Sequence, residues 1–164
     1  MDFRGLLKAD LIAPLHSWDI LSMYLLQLSE EGRKKCELKR LYEYHQHNHW
    51  VLDLDEILKN PYEALVLTNP NVSIEWVSGG FTKMTGYTKC EVVGKSPSIL
   101  HGKNTTVSSK SRVREKLFGT GSFKEELVNY RKNGEEYICR IEIFPIFNTS
   151  NSLSHYLALE QEVK

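Results

Sequence analysis

Three histidines at alternate positions, His45, His47 and His49, form the densest group of imidazoles in the sequence and invite a metal reading. On a helix, His45 and His49 stand at i and i+4 and share a face, while His47 points elsewhere. Two imidazoles make half of a zinc site, and no cysteine or carboxylate directly adjacent to them completes the four ligands such a site needs. The expectation is a solvated helix face and no metal. The cysteines, Cys36, Cys90 and Cys139, are odd in number and unrelated in spacing. That fits reduced thiols in a cytoplasmic protein and not a disulfide framework. Cys139 alternates with Tyr137, Ile141 and Ile143, which directs it into a core as a small hydrophobe. Glu135, Glu136 and Glu160 have no base or nucleophile beside them that would make a catalytic pair. Phosphate-loop, kinase, nuclease and hydrolase motifs are missing, so no enzymatic turnover is expected.

The chain that must position these residues has 164 of them, 41% hydrophobic, with 21 basic and 21 acidic side chains. That length suits one domain with an extension. Zero net charge argues against a constitutive nucleic-acid binder, which carries a basic excess or stripe. No apolar run reaches the roughly 20 residues that span a bilayer. The start, MDFRGLLKADL, lacks the basic and then apolar pattern of a signal peptide. No direct nucleic-acid or membrane partner is therefore expected.

Residues 1–60 read as an amphipathic helical extension. Trp18, Leu21, Leu25 and Leu28 recur at i, i+3, i+7 and i+10 after a capping Ser17. Gly32 is expected to break this helix. A second stripe carries Leu38, Leu41, Tyr42 and His45, and DLDEILKN forms a short helix closed by Asn60-Pro61. Residues 61–164 read as short strands and turns. EALVLT and SIEWVS are strands around an Asn69-Pro70-Asn71 turn, and the Gly-punctuated stretch after them gives short helices. Residues 108–118 form a helix with Val113 and Leu117 at i, i+4. SFKEELVNY and EYICRIEIFPIF are alternating strands joined through Asn133-Gly134, a strong hairpin signal. HYLALEQEV is the last strand. The fold class is α+β with an antiparallel sheet.

Taken in order, FTKMTGY, EVVGKSPSILHG, NYRKNGEEY and HYLALEQEV resemble a PAS domain, and within that superfamily the light-oxygen-voltage (LOV) group. The resemblance covers roughly residues 62–162. It implies a five-stranded antiparallel sheet with short helices around a ligand pocket. LOV members hold FMN and form a light-driven adduct through a cysteine in an Asn-Cys-Arg-Phe-Leu-Gln segment. The matching residues here are Ser96, Pro97, Ser98, Ile99, Leu100 and His101. Pro97 has no nucleophile, so adduct photochemistry at that position is not expected. Ser98 replaces a phosphate-binding arginine, and Arg114 matches a second one. Asn129 is retained from the polar flavin contacts, the next falls on Cys139, and the signal-relaying glutamine falls on Glu160. Each unpaired polar group on a buried flavin edge costs about 1–3 kcal/mol. The leading expectation is therefore no cofactor, with FMN as the alternative. A lone His101 is not expected to ligate haem.

If Asn129 and Cys139 face the pocket, alternation places Val128, Tyr130, Ile138, Phe144, Leu157 and Leu159 on the opposite face. Such an apolar face calls for a cover. The amphipathic helices and a second subunit are the candidates, and a homodimer uses Trp18, Leu21, Leu25 and Leu28 against that face, with Arg140 and Glu142 pairing across a twofold axis. The expected function is a non-enzymatic sensory or interaction module that signals by contact with a downstream protein. Two alternatives stand beside it: an FMN protein doing adduct-free photoreduction or redox sensing, and a scaffold whose pocket is filled by its own side chains.

Overall fold

The computed structural model describes residues 16–163. Helix α1 (His16–His47) and the single turn α2 (Leu54–Ile57) precede strands β1 (Ala64–Thr68) and β2 (Ile74–Val77). Helices α3 (Gly79–Thr85) and α4 (Lys89–Val92), a 3-10 turn (Pro97–Leu100) and α5 (Val107–Leu117) follow. Strands β3 (Phe123–Tyr130), β4 (Glu136–Phe147) and β5 (Leu153–Glu162) close the chain. The strands form one antiparallel sheet in the order β2-β1-β5-β4-β3, so the last strand enters between β1 and β4. Fold class and strand count match the sequence reading.

Helix α1 is one continuous helix, contrary to the expected break at Gly32. A lone glycine in an exposed helix costs only about 1 kcal/mol relative to alanine, too little to end a helix flanked by good helix formers. The chain divides into two compact units between Lys39 and Arg40. In the first, Leu21, Leu25 and Leu28 lie 46%, 56% and 45% exposed; the side chain of Trp18 lies outside the described residues.

In the second unit, strand alternation sorts the side chains into two layers. Ala64, Val66, Val77, Phe81, Leu127, Tyr137, Cys139, Ile141 and Ile143 share the inner core with the short helices. On the outer face, Leu65 pairs in register with Leu159 and Leu67 with Leu157. These four and Leu41 are fully buried, and Trp50 and Leu54 are buried as well, outside the inner core. The Trp50 ring packs 5.2 Å from that of His155, and its Nε1–H donates to Ser154 Oγ at 3.2 Å. Tyr44 of α1 meets the same histidine edge-on. Tyr44 and Trp50 thus pack on the outer face of β5 at Ser154 and His155 from within the chain.

The expected apolar outer face is therefore corrected. Leu157 and Leu159 are already covered and present nothing to a second subunit. Ile138 is 47% exposed, and Val128, Tyr130 and Phe144 are half-buried. Arg140 and Glu142 pair along the sheet with Glu126 (2.8 Å) and Lys124 (3.1 Å), so neither waits for a twofold mate.

Candidate functional site

A cavity of about 470 Å³ lies between the inner face of the sheet and the segment from the 3-10 turn through α5. Its volume falls in the range of small-molecule sites. The sheet contributes Val66 and Thr68 (β1), Leu127 and Asn129 (β3), Ile141 and Ile143 (β4), and Tyr156, Ala158 and Glu160 (β5). Opposite stand Ser96, Pro97, Ser98, Leu100 and His101, together with Lys110, Val113, Arg114 and Leu117 from α5. The α5 residues recur at i, i+3, i+4 and i+7, one face of a helix. Val72 lines the cavity from the turn after β1, with a left-handed φ of 59° that a β-branched side chain rarely adopts.

Local chemistry holds this wall in place. Thr106 caps α5 by accepting from Ser109 N–H at 3.1 Å. Just before it, Thr105 Oγ1 accepts from Gly102 N–H at 2.9 Å and donates to Val128 C=O at 2.6 Å, tying the loop to β3. A Cβ at position 102 would meet the Tyr130 ring at 2.4 Å, so the approach requires glycine. Ser96 accepts from Ser98 N–H and starts the 3-10 turn, with Pro97 in its first position. On the far side of α5, Arg112 and Lys116 both pair with Glu125, which fixes the helix against β3.

Most of the cavity surface is apolar, and its polar groups are concentrated. Asn129 and Glu160 are 3% and 5% exposed. Asn129 Oδ1 and Glu160 Oε2 have no hydrogen-bond partner, and neither has the neighbouring Tyr137 hydroxyl. Native interiors satisfy nearly all such atoms, so orphaned acceptors on a cavity wall mark where a ligand or water binds. Burial raises Glu160 from 4.5 to about 7, and it pushes the Tyr137 hydroxyl up as well. His101 is lowered, first by burial and then by the charge of Lys110.

Seven of the eight residues expected at a cofactor site line this one cavity: Ser96, Pro97, Ser98, His101, Arg114, Asn129 and Glu160. Cys139 does not. It faces the inner core with no exposure, and burial raises its thiol far above the ordinary range. No cysteine lines the cavity. Sequence reasoning missed Lys110, Thr68 and Tyr156; Lys110 was legible as the residue one turn before Arg114. Against the alternative of a pocket filled by its own side chains stands this open volume of about 470 Å³. Ala158 on the floor and serines on the opposite wall are too small to fill it. The histidine trio is dispersed: His45 contacts Leu52 C=O and the Trp50 ring edge. Among the described residues no three His, Cys, Asp or Glu side chains gather as a metal site.

The residues present fit a flavin mononucleotide in kind. Asn129 Oδ1 can accept from a ring N–H, and a protonated Glu160 can donate to a ring acceptor while Arg114 and Lys110 face an anion.

A five-stranded antiparallel sheet closed by short helices over a ligand-sized cavity defines an α+β pocket module. Residues 63–163 match the PAS domain family, and the chain belongs to it. Phototropin-1A of Oryza sativa is 32% identical over 96 residues, 58% of this chain and 10% of that protein. A solved structure titled for a flavin analogue and the light-oxygen-voltage domain mechanism is 26% identical, with a TM-score of 0.62. It covers 70% of this chain and 87% of its own. The PAS domain of the fruit-fly ELK potassium channel is 27% identical with a TM-score of 0.58, covering 68% and 98%. The chain thus spans about a tenth of the phototropin's length. Among the described residues no helix is long and apolar enough to cross a membrane.

Proposed function

We propose that this chain is a non-enzymatic sensory and interaction module. Its cavity takes a small ligand without forming a cysteine adduct, and its N-terminal extension passes the bound state to a partner. The observation that carries this reading is the cavity itself: open, mostly apolar, with two deeply buried unpartnered acceptors and no thiol on its wall. The proposed organisation is a helical extension over residues 1–60 and a PAS domain over 61–164, with residues 40–60 of the extension belonging to the same compact unit as the domain. The partners are a second copy of the chain and a downstream signalling protein. The exposed stripe of Leu21, Leu25 and Leu28, with Ile138 on the sheet, supports the second copy. Light scattering at high concentration tests it, and a monomer refutes it.

A second reading, adduct-free FMN binding, is favoured by the pairing of Asn129 and Glu160 with Arg114 and Lys110 around one cavity. A bound flavin would supply blue-light absorption and redox chemistry, while these residues would orient it and balance its charge. Absorbance and denaturing mass spectrometry of the purified protein decide between the readings. A flavin band with a releasable FMN mass establishes the second. Protein that stays colourless after incubation with FMN and buffer exchange removes it. A purified protein that retains or binds no small molecule at all overturns the first.

A further inference from the structure

We propose that the cavity binds anionic ligands together with a proton, Glu160 staying protonated in the complex. The inference rests on the ligand-binding reading above and adds the ligand's charge and its coupling to pH.

The rim supplies the first half. Lys110 and Arg114 stand one turn apart on the cavity face of α5. Like charges at i, i+4 repel, so the placement costs the helix stability unless an anion lies between them. The other two cations of α5, Arg112 and Lys116, share Glu125. Lys110 and Arg114 have no such partner among the described residues. His101 faces the same space, and the charge of Lys110 helps hold it neutral. A cationic rim over an apolar cavity receives an anion.

Glu160 supplies the second half. Its Oε2 is buried without a partner on the cavity side of β5. The groups around it give no counter-charge. From β4 come Tyr137 and Cys139, both held neutral and both pushed up in part by Glu160 itself. Beside β1, Glu63 only donates its backbone N–H to the Glu160 carbonyl. Arg131 lies 4.6 Å over the Tyr137 ring and is taken by Glu162 at 2.7 Å. The remaining charges are the rim cations Lys110 and Arg114. An ionised Glu160 would therefore sit uncompensated in an apolar pocket and repel an entering anion. An anion seated in the same apolar space favours the neutral acid further. By linkage, protonation then favours the ligand equally.

The test uses two probes of one ring system, 8-anilinonaphthalene-1-sulfonate, anionic at every pH used, and uncharged N-phenyl-1-naphthylamine. Fluorescence titrations run from pH 6 to pH 8.5 on the full chain. In the wild type the sulfonate is expected to bind more tightly, and to weaken by up to about tenfold per pH unit once Glu160 ionises in the free protein. Glu160→Gln should flatten that dependence to within about twofold, because the amide takes up no proton. Lys110→Ala with Arg114→Ala should weaken the sulfonate about tenfold at low salt and leave the uncharged probe within about twofold. An unchanged pH slope in Glu160→Gln, or a sulfonate indifferent to the double substitution, overturns the proposal while the cavity remains a binding site. Absence of saturable binding by either probe overturns both the proposal and the ligand-binding reading beneath it.

Discussion

Glu160→Gln should make the fold more stable at pH 8 while leaving it nearly unchanged at pH 4.5. Burial alone pushes the Glu160 carboxyl up from its ordinary value of 4.5 to about 7. The folded state therefore holds its proton where the unfolded chain has released it. Between those two values the unfolded state binds fewer protons, so stability falls as pH rises through the window and levels off above it. One pKa unit corresponds to about 1.4 kcal/mol, which makes the loss on the order of 3 kcal/mol across the window. Glutamine has no titrating proton and escapes it. Any constant cost of the amide shifts the variant's whole curve without changing its shape. Urea unfolding followed by far-UV circular dichroism, from pH 4.5 to pH 8, gives the difference between the two proteins at each pH. Titrations elsewhere in the chain cancel in that difference. A gap that opens steadily in favour of the variant supports the reasoning. Parallel curves would show that Glu160 reaches solvent or a counter-charge, and that its burial has no energetic consequence.

Removal of residues 1–39 should leave a cooperatively folding sheet unit, whereas removal of 1–60 should not. The longer deletion removes the buried Leu41, Trp50 and Leu54, with the Trp50 ring that packs on His155 of β5. Large buried apolar side chains are worth about 2–5 kcal/mol each, comparable in sum with a whole domain's stability of about 5–15 kcal/mol. Equal thermal transitions for the two truncations would refute this. Gly80→Ala should destabilise the fold by about 1–3 kcal/mol or prevent folding, since a Cβ there would lie 1.9 Å from the backbone carbonyl oxygen of Glu63. An unchanged urea midpoint would show that the two segments can separate freely. Thr106→Ala should cost about 1 kcal/mol by uncapping α5, and Thr106→Ser should recover most of it in the same urea assay. A chelator should leave the melting temperature unchanged, because His45 and His49 alone cannot supply the folding energy of a structural metal; a large drop would reverse that conclusion.

Much of this protein is written in local pattern. The period-two runs around Cys139 and Leu157, the turn at Asn69-Pro70-Asn71 and the Asn133-Gly134 hairpin specify strands and their inward faces, because alternation and turn geometry are properties of neighbouring residues. The order of motifs also led to seven residues that line one cavity, although they come from four separate segments. Tertiary structure decided three other matters. Whether Gly32 ends a helix depends on a balance of about 1 kcal/mol that the surrounding residues tip, not on glycine alone. Leu157 and Leu159 looked available to a partner because their register partners Leu65 and Leu67, and the Tyr44 and Trp50 rings that pack beside them on His155, are distant in sequence. Glu160 took its character from burial: a carboxyl at that position reads as an ordinary acid until the fold removes water and places no cation against it. Local sequence sets which way a side chain points, while solvation and counter-charge come from segments far along the chain. The chemistry of this cavity therefore exists only once β5 has entered between β1 and β4 and α5 has closed over it.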